Sequence, residues 1–141
     1  MNVLVGSDYP KQVPAMIDAA KQTIEIVVYD WRWYPDQPGH AVQQFNNALV
    51  RAVKRGVKVR AVVNAGFIVP ILNNVGIKAR QTKDKRVVHT KLIIFDKKTI
   101  VIGSHNFTRN AFGSNIETSI AIDIPQNVTR FAELFENLYN I

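Results

Sequence analysis

Apolar residues recur along this chain with two different periods, and the two periods alternate. Short runs of β-branched and apolar residues predict strands at residues 3–5, 24–29, 57–63 and 77–80. Apolar positions spaced three or four residues apart predict helices at residues 10–22, 41–55 and 126–140, with a shorter helix near 67–74. Such an alternation is typical of an α/β fold built around a mixed sheet.

Residues beside the predicted helices carry signals for where each helix begins and ends. Ser7 or Asp8 is placed to cap the helix at 10–22, with Pro10 near its first turn. His40 is expected to cap or precede the helix at 41–55, which ends at Gly56. The closing helix has one apolar face, formed by Val128, Phe131, Leu134, Phe135 and Leu138.

The second half of the chain predicts a hairpin of strands at residues 87–96 and 99–102, followed by a strand at 117–122. His89 and Lys91 lie two residues apart in the first strand, so their side chains project from the same side, about 6.6 Å apart. The turn at 103–106 returns the chain to the start of that strand. We therefore expect Ser104 and Asn106 to lie near His89 and Lys91.

These four side chains are suited to binding and attacking a phosphate group. An imidazole attacks phosphorus or transfers a proton, which makes His89 the candidate nucleophile. The ammonium, amide and hydroxyl groups of Lys91, Asn106 and Ser104 can hold the charged oxygens. The chain contains only one such set.

The spacing of this set resembles a known signature. The residues read His89-x-Lys91, then Asp96, then Gly103-Ser104-x-Asn106, and they match the HKD motif of the phospholipase D superfamily at every fixed position. A tail of Asn, Ile and Glu at 115–117 resembles the Asn-x-Glu that follows the motif in many members. The resemblance covers nearly the whole chain. It implies one phospholipase D-like catalytic domain over residues 1–141, folded as an α-β-α sandwich with helices on both faces of a mixed sheet.

The resemblance gives the polar motif residues expected catalytic roles. Lys91 and Asn106 would neutralise oxygens of the bound phosphate. Ser104 would donate a hydrogen bond rather than attack, because no hydrolase triad surrounds it. Glu117 is expected to accept a hydrogen bond from one nitrogen of His89 and so fix the tautomer of the ring.

Two further motif residues are expected to be structural, and one neighbouring position stays open. Asp96 lies seven residues from His89, on the opposite face of a strand, and Gly103 belongs to the turn that follows the second strand. The motif leaves position 105 unspecified, so His105 is only a weak candidate for a second catalytic histidine.

The charge of the chain indicates a polyanionic partner. The formal net charge is +7 and the pI is near 9.9, which favours nucleic acid or an anionic membrane surface. Small basic proteins that bind neither are also common. Lys83, Lys85 and Arg86 lead directly into the segment that carries His89, so we predict that they bind substrate phosphates. A solvated turn is the alternative for these three residues.

The segment from Trp31 to Tyr34 has the most unusual composition of the chain. It follows a predicted strand, where α/β proteins often place ligand-binding loops. Trp31 and Trp33, with an arginine between them, are predicted to stack against bases of the substrate or to rest on lipid. The alternative is that one or both rings pack into the core or into a subunit interface.

Several classes of site and of location are disfavoured by the sequence. Cysteine is absent, which excludes disulfides, thiol catalysis and Cys-based zinc sites. The three histidines show no metal-ligand spacing with acidic residues, so we predict neither a metal nor another cofactor. The sequence lacks a run near the ~20 apolar residues of a membrane span and a recognisable secretory signal. We therefore expect a cytoplasmic protein with no stable membrane association, although a trimmed leader stays open.

A single motif in one chain predicts a homodimer. Two-step phosphodiester hydrolysis needs a nucleophile and a separate proton donor, and a two-fold axis would supply both from two copies of His89. Short members with one motif resemble the dimeric endonucleases of the superfamily. We therefore predict a metal-independent, nonspecific endonuclease that cleaves DNA, with RNA as a further candidate substrate. Two alternatives stay open: a phospholipase or other lipid phosphodiesterase, and a module that binds nucleic acid without cutting it.

Overall fold

The computed structural model describes residues 2–141 of the chain, which form seven strands and five helices. The strands are β1 (Asn2–Val5), β2 (Thr23–Val28), β3 (Lys58–Val63), β4 (Lys78–Arg80), β5 (Leu92–Phe95), β6 (Thr99–Gly103) and β7 (Thr118–Ile122). The helices are α1 (Asp8–Ala19), α2 (Ala41–Lys54), α3 (Val69–Asn74), α4 (Arg109–Phe112) and α5 (Pro125–Tyr139). None of these helices has both the length and the apolar stretch needed to cross a membrane.

The strands form one mixed sheet in the order β1-β7-β6-β5-β2-β3-β4. Strands β2, β3 and β4 are parallel and are joined by helical crossovers, whereas all other neighbouring strands are antiparallel. This topology brings the ends of β2 and β6 and the starts of β5 and β7 to the same edge of the sheet, here called the upper edge. The opposite edge, where β2, β3 and β4 begin, is the lower edge.

Helices cover both faces of the sheet, as predicted. On one face, Ile24 and Ile26 of β2 pack in the same buried cluster as Val13 of α1 and Phe45 of α2. On the other face, alternate strand residues pack against α5, with Phe135 fully buried among them. The alternation of strand side chains between two apolar layers explains why β2 reads as an almost continuous apolar run. The α/β fold predicted from the sequence is therefore confirmed.

The predicted strand at 87–96 is wrong for its first five residues. Only Leu92–Phe95 form strand β5. Gly103 N still donates to the Lys91 carbonyl, but β2 ends at Val28 and β6 at Gly103, so residues 87–90 extend beyond both neighbouring strands. A side chain holds this segment instead, since Asn64 Oδ1 accepts a hydrogen bond from the Val88 amide at 2.9 Å. The short helix α4, capped by Thr108, was not predicted.

Asp96 explains why α1 ends three residues earlier than predicted. Its Oδ1 atom accepts hydrogen bonds from the backbone amides of Lys21, Gln22 and Thr23 at 2.7–3.1 Å. These amides would otherwise continue the helix, and the chain turns extended at Ala20 instead. Asp96 itself has a left-handed backbone, with φ of 53°, which aspartate tolerates better than most residues. The geometry agrees with the structural role expected for this residue.

We predict that Asp96→Ala lowers the free energy of unfolding by about 2 kcal/mol, because three backbone amides lose a charged acceptor. Asp96→Asn is the matched control. It keeps an oxygen at the same position and loses only the charge, so its loss should be smaller. Urea denaturation of the three proteins measures the difference. Equal stability of Asp96→Ala and the unaltered chain would contradict this role.

Candidate active site

Three segments bring polar side chains together at the upper edge of the sheet. His89 and Lys91 come from the segment before β5, Ser104 and Asn106 from the turn after β6, and Glu117 from the residue before β7. The registers of β5 with β6 and of β6 with β7 place these segments side by side. The proximity expected from the hairpin is therefore present, although residues 87–91 are not part of a strand.

His89 is exposed, and its ring contacts two neighbours. Lys91 Nζ lies 3.1 Å from Nδ1 and 3.2 Å from Nε2 of the ring. The ring of Tyr29, the residue after β2, lies 4.9 Å from the imidazole between centroids, and Lys91 Nζ lies 5.6 Å from the Tyr29 centroid. Burial lowers the pKa of Lys91, and the Glu117 carboxylate partly opposes that shift. Lysine, tyrosine and histidine thus form one compact group.

The amide of Asn106 has a fixed orientation. Its Oδ1 accepts a hydrogen bond from the Asp30 backbone amide at 3.0 Å, so its Nδ2 group is the end left to donate to a ligand. A short parallel bridge joins the segment after β2 to the segment after β6. In it, Phe107 N donates to Asp30 O and Arg32 N donates to Phe107 O, both at 3.0 Å. Asn106 can therefore donate toward a bound anion without rearranging.

Glu117 does not bond His89 as expected. Its Oε1 accepts a hydrogen bond from Ser104 Oγ at 2.6 Å, and its Oε2 accepts one from Asn115 Nδ2 at 3.1 Å. Ser104 Oγ also accepts from the Thr118 amide at 3.0 Å. The serine is thus a hydrogen-bonding link between two sides of the site. The hydrogen bond predicted between Glu117 and His89 is absent from residues 2–141, and Glu117 instead orients Ser104 and Asn115.

Gly103 cannot carry a side chain. A Cβ atom at this position would overlap the Ser119 side chain and the carbonyl oxygen of Thr118 on the adjacent strand. The glycine therefore allows β6 and β7 to lie close enough for Ser104 to reach Glu117.

Neither of the other two histidines is at the site. His105 is fully buried and stacks on Tyr9 at 4.4 Å between ring centroids. Its Nδ1 lies 2.8 Å from Ser119 Oγ and its Nε2 lies 2.9 Å from the Gly6 carbonyl oxygen. Because a carbonyl only accepts, Nε2 carries the proton. His40 caps α2 through Nδ1, which accepts from the Val42 amide, as predicted.

The interpretation of Trp31 as a substrate contact is wrong, because the side chain is only 1% exposed. Its Nε1 donates to Asn46 Oδ1 at 2.7 Å, and its ring meets Phe107 edge-on at 5.0 Å. Trp33 is half-buried and packs against the same core, so it presents only part of its surface. The alternative weighed for this segment, packing into the core, holds for Trp31.

The predicted basic residues line a cleft beside the catalytic segment. Lys83, Lys85 and Arg86 lie on the loop after β4 and surround a space of about 420 Å³, with Val63, Asn64, Gln81, Thr82 and Val88 as the other walls. Arg86 Nε also donates to Asp84 Oδ2 at 2.6 Å. The two lysines are exposed and have no carboxylate within ion-pair distance anywhere in residues 2–141. The cleft is therefore positively charged.

Sequence reasoning missed three residues that shape this site: Tyr29, Asp30 and Asn64. Tyr29 and Asn64 each follow a strand that ends at the upper edge, where ligands bind in parallel α/β sheets. This position, just after the end of a strand, is also what indicated Trp31 and Trp33 as candidate ligand contacts. Across residues 2–141, no three histidine, aspartate or glutamate side chains come close enough to hold a metal ion.

A family comparison covers almost the entire chain. The model for the "Cardiolipin synthase, PLD-like domain" family matches residues 13–139, which include every motif residue described above. The chain belongs to the phospholipase D superfamily. Of its motif residues, His89, Lys91, Ser104 and Asn106 lie at the upper edge of the sheet, whereas Asp96 lies at the lower edge.

Similar proteins include two enzymes named for lipids and a solved structure named Nuc. The mitochondrial cardiolipin hydrolase of Mus musculus is 28% identical over 127 residues, which is 86% of this chain and 53% of that protein. The phospholipase D of Rickettsia conorii is 30% identical over 119 residues, which is 80% of this chain and 55% of that protein. The chain thus spans about half the length of these relatives.

The solved structure of Nuc from Salmonella typhimurium, a phospholipase D family member, superimposes with a TM-score of 0.81 and 30% identity. It covers 99% of this chain and 94% of that one. These similarities agree with its membership of the phospholipase D superfamily.

The buried His105 predicts a loss of stability in mild acid. Burial lowers its pKa, although the Gly6 carbonyl and the charge of Glu117 act in the opposite direction. The neutral ring is therefore favoured in the folded state. Its contribution to stability is complete above the unfolded pKa of about 6.5 and is lost as the pH falls below that value.

We expect the free energy of unfolding to fall as the pH drops below about 6.5, and to fall less in His105→Gln, which has no imidazole to protonate. Denaturant titrations at a series of pH values measure this. A pH dependence identical in both proteins would show that another group is responsible.

Proposed function

We propose that this chain is a metal-independent phosphodiesterase, and that it cleaves nucleic acid as a nonspecific endonuclease with one active site shared by two copies. The observation that supports this most directly is the set of His89, Lys91 and Asn106. It joins a nucleophile to two donors that point at the same space, and no second histidine of the chain is near.

The first step is an in-line displacement at phosphorus. One imidazole nitrogen of His89 attacks, a P–N bond forms, and the P–O bond to the leaving group breaks. Lys91 moves its contact from the ring to a non-bridging oxygen, and the Nδ2 group of Asn106 donates to the same phosphate. The leaving oxygen needs a proton, which His89 of the partner subunit donates.

The second step releases the enzyme. A water molecule attacks the phosphohistidine, and the now neutral His89 of the partner subunit accepts its proton. A P–O bond forms and the P–N bond breaks, so both imidazoles return to their starting states. Paired ammonium and amide donors from two chains neutralise the charge that develops on phosphorus, and no metal is required for that role.

The surface around the site supports a second copy as the partner. Ile116, beside Glu117, is 99% exposed, and Val87, two residues before His89, is 71% exposed. Val3 and Val5 of β1 are more than half exposed. They lie on the same face of the sheet as α5, in the part that this helix does not cover. Exposed apolar side chains on several segments around a polar site are typical of an interface. A two-fold axis there would bring the two copies of His89 together.

Nucleic acid is the favoured substrate because of charge. The net charge of +7 and the basic cleft beside His89 suit a strand with many phosphates. A lipid phosphodiesterase is the second candidate, supported by the names of the cardiolipin hydrolase and phospholipase D relatives. Both candidates use the same chemistry at phosphorus.

We predict that His89→Asn lowers kcat by at least about 10³-fold, because the substituted amide cannot attack phosphorus. The shared site makes a sharper prediction for mixtures. When unaltered and His89→Asn chains are refolded together, activity should fall with the square of the unaltered fraction, because mixed dimers lack one imidazole. A linear decrease, or a monomer by light scattering with full activity, would contradict the shared site. Mixtures with Lys11→Ser chains are the control and should keep full activity.

The substrate class and the absence of a metal requirement are tested together. We predict cleavage of plasmid DNA and single-stranded oligonucleotide in excess chelator, with no hydrolysis of phosphatidylcholine or cardiolipin vesicles. Gel electrophoresis and lipid chromatography measure the products. Activity that disappears in chelator and returns with a divalent ion would contradict the metal-independent mechanism. Hydrolysis of lipid alone would establish the second candidate.

A further inference from the structure

A second group of basic side chains lies at the lower edge of the sheet, far from His89. Side chains alternate along the strands, so Thr23, Lys58 and Lys78 point to the face that carries α5, opposite the buried neighbours Ile24, Val57, Val59, Ile77 and Ala79. The register places Thr23 beside Lys58 and Arg60 beside Lys78. Five residues of β2 separate this group from the upper edge, a distance of roughly 17 Å.

These residues surround an open cavity of about 370 Å³, lined also by Lys97. Lys58 and Lys78 are exposed and have no carboxylate within ion-pair distance in the described part of the chain. The hydroxyl Oγ1 of Thr23 is buried and makes no hydrogen bond. Two free ammonium groups at one cavity are the donors that a phosphate group takes.

The other two cations at this edge are held in place by carboxylates. Lys97 Nζ donates to Glu25 Oε1 at 3.2 Å, and the Glu25 side chain is 1% exposed. Arg60 pairs with Glu136 of α5. Lys97 has a left-handed backbone with φ of 54°, at a turn position where glycine is preferred. This ordering leaves Lys58 and Lys78 as the cations available to a ligand.

A basic stripe joins this cavity to the cleft beside His89. Lys78 and Arg80 lie on the same face of the edge strand β4, and the loop after β4 carries Lys83, Lys85 and Arg86 into the cleft. From position 78 to position 83 an extended chain covers about 17 Å. The stripe therefore follows the outermost strand β4, from the lower edge of the sheet to the upper edge.

We propose that this stripe binds the sugar-phosphate backbone of a nucleic acid strand over several nucleotides, with one phosphate in the cavity formed by Lys58, Lys78 and Thr23. The inference rests on the proposed nuclease function and extends it from the cleaved bond to the length of the substrate. A phospholipid headgroup presents its phosphates at one place, whereas a nucleic acid strand presents one per nucleotide. Only the second can fill both ends of the stripe.

The test compares two variants that remove the same charge. Lys58→Ser/Lys78→Ser removes the free cations of the lower edge, and Lys11→Ser/Lys54→Ser removes two exposed lysines from α1 and α2, on the opposite face. Both pairs are made in the His89→Asn background, so that binding is measured without cleavage. Fluorescence anisotropy with an oligonucleotide of about 20 nucleotides is recorded at several salt concentrations.

Loss of two phosphate contacts should weaken binding about tenfold near 0.15 M salt and reduce the slope of log K against log salt by about 1.4 for a single strand. Lys11→Ser/Lys54→Ser should change neither quantity by a comparable amount. With His89 restored, the Lys58→Ser/Lys78→Ser pair should lose kcat/KM on the long strand relative to a dinucleotide substrate. Matching melting temperatures establish folding, and Lys58→Gln/Lys78→Gln serves as the second variant.

Equal slopes for the two variant pairs would overturn the proposal, and the lysine of β4 would then serve only to keep an edge strand from pairing with other chains. Binding of inorganic phosphate without any effect on the long strand would overturn it as well. Failure of the nuclease function is detected separately. The unaltered chain would then leave the dinucleotide intact, while the binding titration would still decide whether the stripe holds a strand.

Discussion

The register of the β5–β6 hairpin is the constraint on which the site depends. Leu92 pairs with Ile102, and this single alignment sets where the residues just outside the hairpin lie. A slip by one residue would turn every side chain of the strand to the other face of the sheet. His89 and Lys91 would then point away from Asn106. The short turn after Phe95, where Lys98 N donates to the Phe95 carbonyl, sets this register.

The ends of this hairpin are fixed by different means. At the lower edge, the carboxylate of Asp96 binds three backbone amides and holds the turn. At the upper edge, the segment with His89 is held by Asn64 at Val88 and by the Gly103 amide at Lys91. The reactive side chain is therefore exposed, while its backbone is tied to β3. A fixed backbone with an exposed imidazole allows His89 to reach the phosphates of substrates that differ in shape.

The sequence predicted most of the fold and the central part of the site, for a physical reason. Strand and helix periods are local, so the sequence predicted the alternation of strands and helices. Only one hairpin separates His89 from Asn106, so the sequence also predicted that they lie close together. Contacts between segments distant in the sequence could not be predicted in the same way. Composition alone did not distinguish a Trp31 that stacks on substrate from one that bonds Asn46 in the core. Sequence alone also did not show whether Glu117 bonds His89 or Ser104. The close packing of β6 against β7 at Gly103 brings Ser104 within hydrogen-bond distance of Glu117.

The two faces of the sheet are covered by very unequal numbers of helices. Four helices lie on one face, whereas α5 alone covers Leu92, Ile94 and Ile100 on the other. Because α5 follows every strand in the sequence, a nascent chain would present that apolar layer to the solvent until the helix leaves the ribosome. Such a stage invites aggregation. Folding during synthesis would then depend on keeping that layer away from other chains until α5 docks.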